Sequence, residues 1–201
     1  MRIIERDHRL RCYDFPNFLA EADTPCPVRF GIVPLVNIHR FERIRTMNYE
    51  IVELPARTVV GPTIRTSNNS PEETGAIGQL WGRFMGEGMD RTIPETRVEP
   101  YGCFGLYYDY DMGDMSYTML VGCETPAAAP EGMEARTIAA GRYAKIAIRG
   151  GDCVASVAKA WEEIWADEEL SAQRAFTVDF EAYLPGDDMA CADIDVYVAL
   201  R

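Results

Sequence analysis

Apolar residues Ile77, Leu80, Trp81, Phe84 and Met85 recur at the spacing of one helical face, which predicts an amphipathic helix with one buried stripe. Ser70-Pro71-Glu72-Glu73 stands ahead of it. Serine and glutamate satisfy backbone N–H groups that the first turn leaves open, and proline has no N–H to lose there, so this tetrapeptide marks the start. Gly86 and Gly88 supply the stop. A second stripe, Val154, Val157, Ala158, Trp161, Ile164 and Trp165, follows the turn and cap Gly150-Gly151-Asp152.

Around these helices the pattern is that of strands. Tyr49–Arg65 is rich in β-branched residues and is broken at Pro55. Tyr101–Asp109 and Ser116–Cys123 read as two strands across a turn with Asp111, Gly113 and Asp114. Beyond a linker from Pro126 to Gly132, a strand at Arg142–Arg149, the second helix, and strands at Val178–Leu184 and Asp193–Ala199 repeat the order. Setting Arg57 over Arg142 places Trp81 over Trp161 after a shorter loop, so element order and the helix tryptophan agree together. The expected fold is α+β: two strand–helix–hairpin (βαββ) units, 49–125 and 133–201, related by a pseudo-two-fold axis. The sheet is expected to be antiparallel, with both helices on one face and a ligand groove on the other.

The chain has 201 residues, 47% of them hydrophobic and 26% charged, which is ordinary globular usage. A net charge of -12 argues against binding nucleic acid through phosphates, an affinity supplied by Lys and Arg. No apolar run approaches the ~20 residues that span a bilayer, and the first residues lack a signal-peptide core, so a cytoplasmic protein without membrane contact is expected. The six cysteines form no C-x-x-C pair and only His8 and His39 could join them, so buried thiols are expected, with no metal, cofactor or catalytic triad.

Alternation along Val178–Leu184 puts Val178, Phe180, Ala182 and Leu184 on one face, assigned to the helices, and Asp179, Glu181 and Tyr183 on the other. Periodicity leaves two readings of these carboxylates: solvated strand residues, the usual fate of such groups, or groove lining. Tyr101, Tyr107, Tyr108, Tyr110, Tyr117, Tyr143 and Tyr183 sit on or beside strands. They serve either as cross-strand packing pairs or as ring faces for a cationic aromatic ligand. The tryptophans lie on core stripes, and Asp167-Glu168-Glu169 reads as the solvated end of the second helix.

Tyr49-Glu50-Ile51-Val52-Glu53-Leu54-Pro55-Ala56, Val59-Val60-Gly61, Ile77 through Phe84, Tyr101-Gly102, Leu120-Val121-Gly122, Gly141-Arg142-Tyr143-Ala144 and Asp179-Phe180-Glu181-Ala182-Tyr183 resemble, in order, the GyrI-like small-molecule-binding family. This family supplies the effector-binding domains of AraC-type and multidrug-responsive regulators. The resemblance covers residues 49–201 and implies an aromatic groove for lipophilic, often cationic compounds. Glu181 matches the glutamate that meets the ligand's charge in several members. Tyr183, Tyr143, Tyr101, Tyr108 and Trp81 are the further candidate binding residues.

Residues 1–48 depart from the regulator pattern. Four prolines from Pro16 to Pro34 and the lack of two capped helices argue against a helix-turn-helix reader, leaving an extension of unassigned role. Phe30–Ile38 is a candidate edge strand or groove cover. Three functions follow from these readings. The first is a stand-alone module that senses or sequesters hydrophobic cationic aromatic molecules. The second is a hydrolase of cyclopropane-bearing genotoxins, as some family members are, with Glu181 as general base. The third is a protein-interaction role, such as restraint of DNA gyrase.

Overall fold

The computed structural model describes residues 47–97, 102–184 and 193–201. The readings on His8, His39, Cys12, Cys26, Phe30–Ile38, Tyr101 and Cys191 fall outside these residues.

Among these residues nine strands and three α-helices follow in order: β1 (Glu50–Leu54), β2 (Arg57–Gly61), β3 (Thr63–Ser67), α1 (Pro71–Gly86), β4 (Cys103–Asp111), β5 (Ser116–Glu124), β6 (Glu134–Ile138), β7 (Gly141–Ile148), α2 (Cys153–Ala166), α3 (Glu168–Gln173), β8 (Val178–Tyr183) and β9 (Ile194–Ala199), with a short 3-10 turn at Met89–Thr92. The helix starts fall where the caps predicted. Glu73 N–H donates to Ser70 Oγ at 3.2 Å, and Ala155 N–H donates to Asp152 Oδ1 at 2.7 Å. The single broken strand read from Tyr49 to Arg65 is three strands, interrupted at Pro55-Ala56 and again at Pro62, because proline has no N–H for the ladder. Strand β6 and helix α3 were not anticipated. Asp167 ends α2 and then caps α3, accepting from Leu170 N–H at 2.9 Å, so it is a buried junction instead of a solvated helix end.

The strand order is β1-β7-β9-β8-β4-β5-β2-β6, with β3 also paired to β5. Read from the far end, it is unchanged when β1 exchanges with β6, β7 with β2 and β3, β9 with β5, and β8 with β4. The pseudo-two-fold axis therefore passes between β4 and β8, whose register sets Gly105 opposite Glu181 and Tyr107 opposite Asp179. All strand pairs are antiparallel. Leu80 and Phe84 of α1 and Cys153 and Ile164 of α2 enter one core with Tyr107, Tyr183 and Val196, so both helices cover the same face.

The other face is also covered. Val59 of β2 and Ile138 of β6 pack with Phe104, Leu106, Phe180 and Tyr197, which places the β2–β6 end of the curled sheet across it. The curl draws two backbones together: a Cβ on Gly61 would lie 1.9 Å from the Val121 carbonyl oxygen, and one on Gly122 2.1 Å from that of Val60. Only glycine fits this crossing.

The curl corrects one assignment. Phe180 and Ala182 belong to the face closed by β2 and β6, while Glu181 and Tyr183 face the helices. The alternation holds, but its two sides are exchanged relative to the sequence reading. Val154, counted on the stripe of α2, is exposed, and Cys103, Cys123 and Cys153 are buried thiols.

Candidate functional site

At the centre of the helix-covered face stands Glu181, 1% exposed. Its Oε1 accepts the Tyr107 hydroxyl and the Trp161 indole N–H, both at 2.7 Å, and its Oε2 accepts the Tyr183 hydroxyl at 2.8 Å. Three donors from β4, α2 and β8 thus converge on one carboxylate. Among the described residues, none of the ion pairs involves Glu181.

Burial pushes the Glu181 carboxyl above its ordinary 4.5, and the hydrogen bonds from Trp161, Tyr107 and Tyr183 pull it part of the way back. Tyr107 and Tyr183 are held well above 10, first by burial and then by the neighbouring carboxylate, so both remain donors at neutral pH. The site offers a negative or proton-sharing centre enclosed by aromatic groups.

The two helix tryptophans complete it in a crossed arrangement. Trp81, from the first unit, packs on Tyr183 of the second with centroids 4.7 Å apart, and Trp161, from the second, packs on Tyr107 of the first at 5.0 Å. Each indole is half-buried. The floor is Gly105: a Cβ there would lie 3.2 Å from Glu181 Oε2, 3.4 Å from Met119 Cε and 3.4 Å from Trp81 Cζ2. A side chain at this position would fill the space beneath the carboxylate.

Of the candidate residues named from sequence, Glu181, Tyr183 and Trp81 come together here. Tyr108 and Tyr143 do not, because each lies on the opposite face. Arg136 stacks 4.1 Å over the Tyr108 ring, and the Tyr143 hydroxyl donates to the Ala139 carbonyl at 2.9 Å beside Phe180. Tyr101 lies outside the described residues. Tyr107 and Trp161 are the additions, and the strand register across the pseudo-dyad is what selects Tyr107 over its neighbour Tyr108.

Asp179 shares the face of Glu181 but is neither solvated nor free to meet a ligand. It is fully buried, bonded to Arg174 at 2.5 Å, to the Tyr110 hydroxyl at 2.8 Å and to the Ala199 N–H at 2.8 Å. Two carboxylates two residues apart therefore differ in kind: Asp179 is neutralised by a buried guanidinium, and Glu181 is bonded only by neutral donors.

Comparison with known proteins places this geometry. Residues 47–201 match the GyrI-like small molecule binding domain. The transcriptional regulator BrlR of Pseudomonas aeruginosa is 30% identical over 145 residues, or 70% of this chain and 50% of that protein. The chain thus spans about half the length of this relative. Among solved structures, SAV2435 bound to tetraphenylphosphonium aligns with a TM-score of 0.63 at 17% identity, over 77% of this chain and 94% of the other. An integron cassette protein from the mobile metagenome of Vibrio cholerae aligns with a TM-score of 0.58 at 23% identity, over 76% and 95%. These two likenesses are of fold. With three quarters of its length matched and the duplicated, curled antiparallel sheet in place, the chain belongs to the GyrI-like small-molecule-binding domain family.

Proposed function

We propose that this domain senses or sequesters hydrophobic cationic aromatic molecules, with Glu181 as the countercharge and Trp81, Trp161, Tyr107 and Tyr183 as the walls. The observation that carries the reading is a buried carboxylate ringed by aromatic donors and bonded to no arginine or lysine among the described residues. A buried charge without a partner is costly, and a bound cation supplies that partner. Trp161 is half-buried and bonded to Oε1, so on this reading its indole leaves the carboxylate when the cation binds and offers its ring face to the charge. SAV2435, which shares the fold, holds such a cation.

Titration with tetraphenylphosphonium, followed by tryptophan fluorescence, tests the reading. A saturable change is expected because Trp81 and Trp161 bound the site; a flat titration, confirmed by calorimetry, would refute it. The elevated carboxyl favours one second reading, a general base acting on water. Turnover of a cyclopropane-bearing genotoxin beyond one equivalent would establish it.

The same reading takes residues 1–48 as an extension without DNA contact and the protein as cytoplasmic. Specific retention of DNA in a mobility-shift assay would overturn the first point. Among the described residues no helix is long and apolar enough to cross a membrane.

A further inference from the structure

An open cleft of about 230 Å³ lies at the β4–β5 turn, bordered by Tyr110, Tyr117, Trp165, Met112, Met115 and the exposed Asp111, whose Oδ1 accepts the Gly113 N–H at 2.8 Å; Tyr117 packs on Tyr107, which separates the cleft from Glu181. Three features converge on it. Among the described residues the large hydrophobic side chains left exposed are Ile51, Met112, Met115, Val154 and Trp165, and three of them, Met112 (54%), Met115 (43%) and Trp165 (39%), border this cleft. Apolar exposure gathered in a concavity marks a binding surface, whereas scattered exposure does not.

Backbone strain is concentrated in the same place. Four non-glycine residues among those described have positive φ; one of them, Met115 (60°), lines the cleft, and two stand behind its wall, Asp109 (50°) next to Tyr110 in the chain and Phe176 (52°) packed on Trp165 and Tyr110. Left-handed backbone costs roughly 1–2 kcal/mol in residues such as Met115 and Phe176, and less in Asp109, whose short polar side chain suits it. Its clustering at one concavity points to a use for the shape.

The irregularity at Asp109 also re-aims a side chain. Strand β4 slips register on β5 between Tyr108 and Asp111. Regular alternation would send Tyr110 to the face of Tyr108; the bulge turns it onto the face of Tyr107 and into the cleft wall.

From this arrangement we infer that the cleft is a second binding site, separate from Glu181, for an uncharged, flat aromatic ring system. The hydroxyls of the two tyrosines are already committed, Tyr110 to Asp179 and Tyr117 to Asn68, so they present ring surface in place of spare donors. Behind Trp165 the fully buried Arg174 guanidinium sits 4.3 Å from the ring centroid. That cation already engages the indole quadrupole from the protein side, which disfavours a second cation on the outer face and leaves it suited to a neutral ring. Met112 and Met115 supply unbranched, adaptable walls. The volume is below the roughly 300–1,000 Å³ of sites for drug-sized ligands, so the occupant is a small ring system.

The probe is N-phenyl-1-naphthylamine, a neutral dye whose fluorescence rises in apolar surroundings, titrated beside tetraphenylphosphonium. The paired substitution Met112→Asp with Met115→Asn is expected to weaken the dye by about tenfold or more, which is ~1.4 kcal/mol, while leaving the phosphonium titration unchanged. Both positions are exposed and Asn tolerates left-handed backbone, so the variant folds. Trp165→Ala is expected to act in the same direction. Glu181→Gln is expected to leave the dye unaffected, and the dye and the phosphonium to bind without competing. Dye binding indifferent to the cleft variants would overturn the inference, as would its loss in Glu181→Gln or competition between the two ligands. Should the phosphonium fail to bind at all, the dye titrations alone still decide the cleft.

Discussion

Replacing Glu181 by glutamine should make the unliganded protein more stable at neutral pH, by an amount that depends on pH in a defined way. The substitution keeps the shape. An amide oxygen at the Oε1 position inherits the 2.7 Å bonds from Tyr107 and Trp161, and the amide NH₂ replaces Oε2, toward which the Tyr183 hydroxyl can rotate as an acceptor. Only the charge is lost. Because burial raises the folded carboxyl above 4.5, the native state binds its proton more tightly than the unfolded chain does. Stability from this group is therefore complete below the unfolded pKa and is lost as pH rises through the folded one, with a slope of at most ~1.4 kcal/mol per pH unit.

Glutamine does not titrate, so the two proteins should differ by a constant at low pH and diverge above about 4.5 in favour of the variant. At roughly 2–4 °C per kcal/mol for a domain of this size, the melting temperatures should separate by up to about 3–6 °C per pH unit within the window. Thermal unfolding by circular dichroism across pH 3–8, at one ionic strength and without ligand, reads this directly. Parallel curves, or a variant that falls below wild type as pH rises, would show that the three donors overcome burial and that Glu181 rests as a stabilised anion needing no cation.

Other outcomes follow from neighbouring contacts. Asp179→Asn should cost about 3–5 kcal/mol in urea unfolding, because Arg174 would be left buried without its countercharge; a loss under ~1 kcal/mol would mean the pair behaves as a surface one. Gly105→Ala should weaken phosphonium binding while costing no more than about 1–3 kcal/mol of stability, since its methyl enters the space under Glu181, Trp81 and Met119. Unchanged affinity in that variant would move the ligand away from Gly105.

Much of this architecture was legible because local signals and the repeat agreed. Ser70 and Asp152 cap the helices they were read to cap, and the repeated order of elements anticipates a strand order symmetric about β4 and β8. The side of the sheet was not legible. Along β8 both faces are buried, one under α1 and α2 and the other under the β2–β6 curl, so alternation groups Glu181 with Tyr183 without saying which layer covers them. The same limit misplaced Tyr108 and Tyr143: a tyrosine on a two-sided core strand carries no mark of its face. The fate of Asp179 depended on Arg174, which lies five positions earlier, and no period links the two. Tyr110 was beyond reach for another reason, since a bulge inverts the parity by which a face is read.

The central claim is that Glu181 meets the positive charge of a ligand, and a four-way comparison tests it most directly. Tetraphenylphosphonium and neutral triphenylphosphine oxide are titrated calorimetrically against wild type and Glu181→Gln, so that effects of shape and packing cancel and only the coupling between the two charges remains. A dry charge pair predicts coupling on the order of 2–5 kcal/mol, a loss of ~30-fold or more for the cation, with the oxide nearly unaffected. Equal changes for both ligands, or coupling below ~1 kcal/mol as for an exposed pair, would contradict the account and leave the aromatic walls as a purely hydrophobic site.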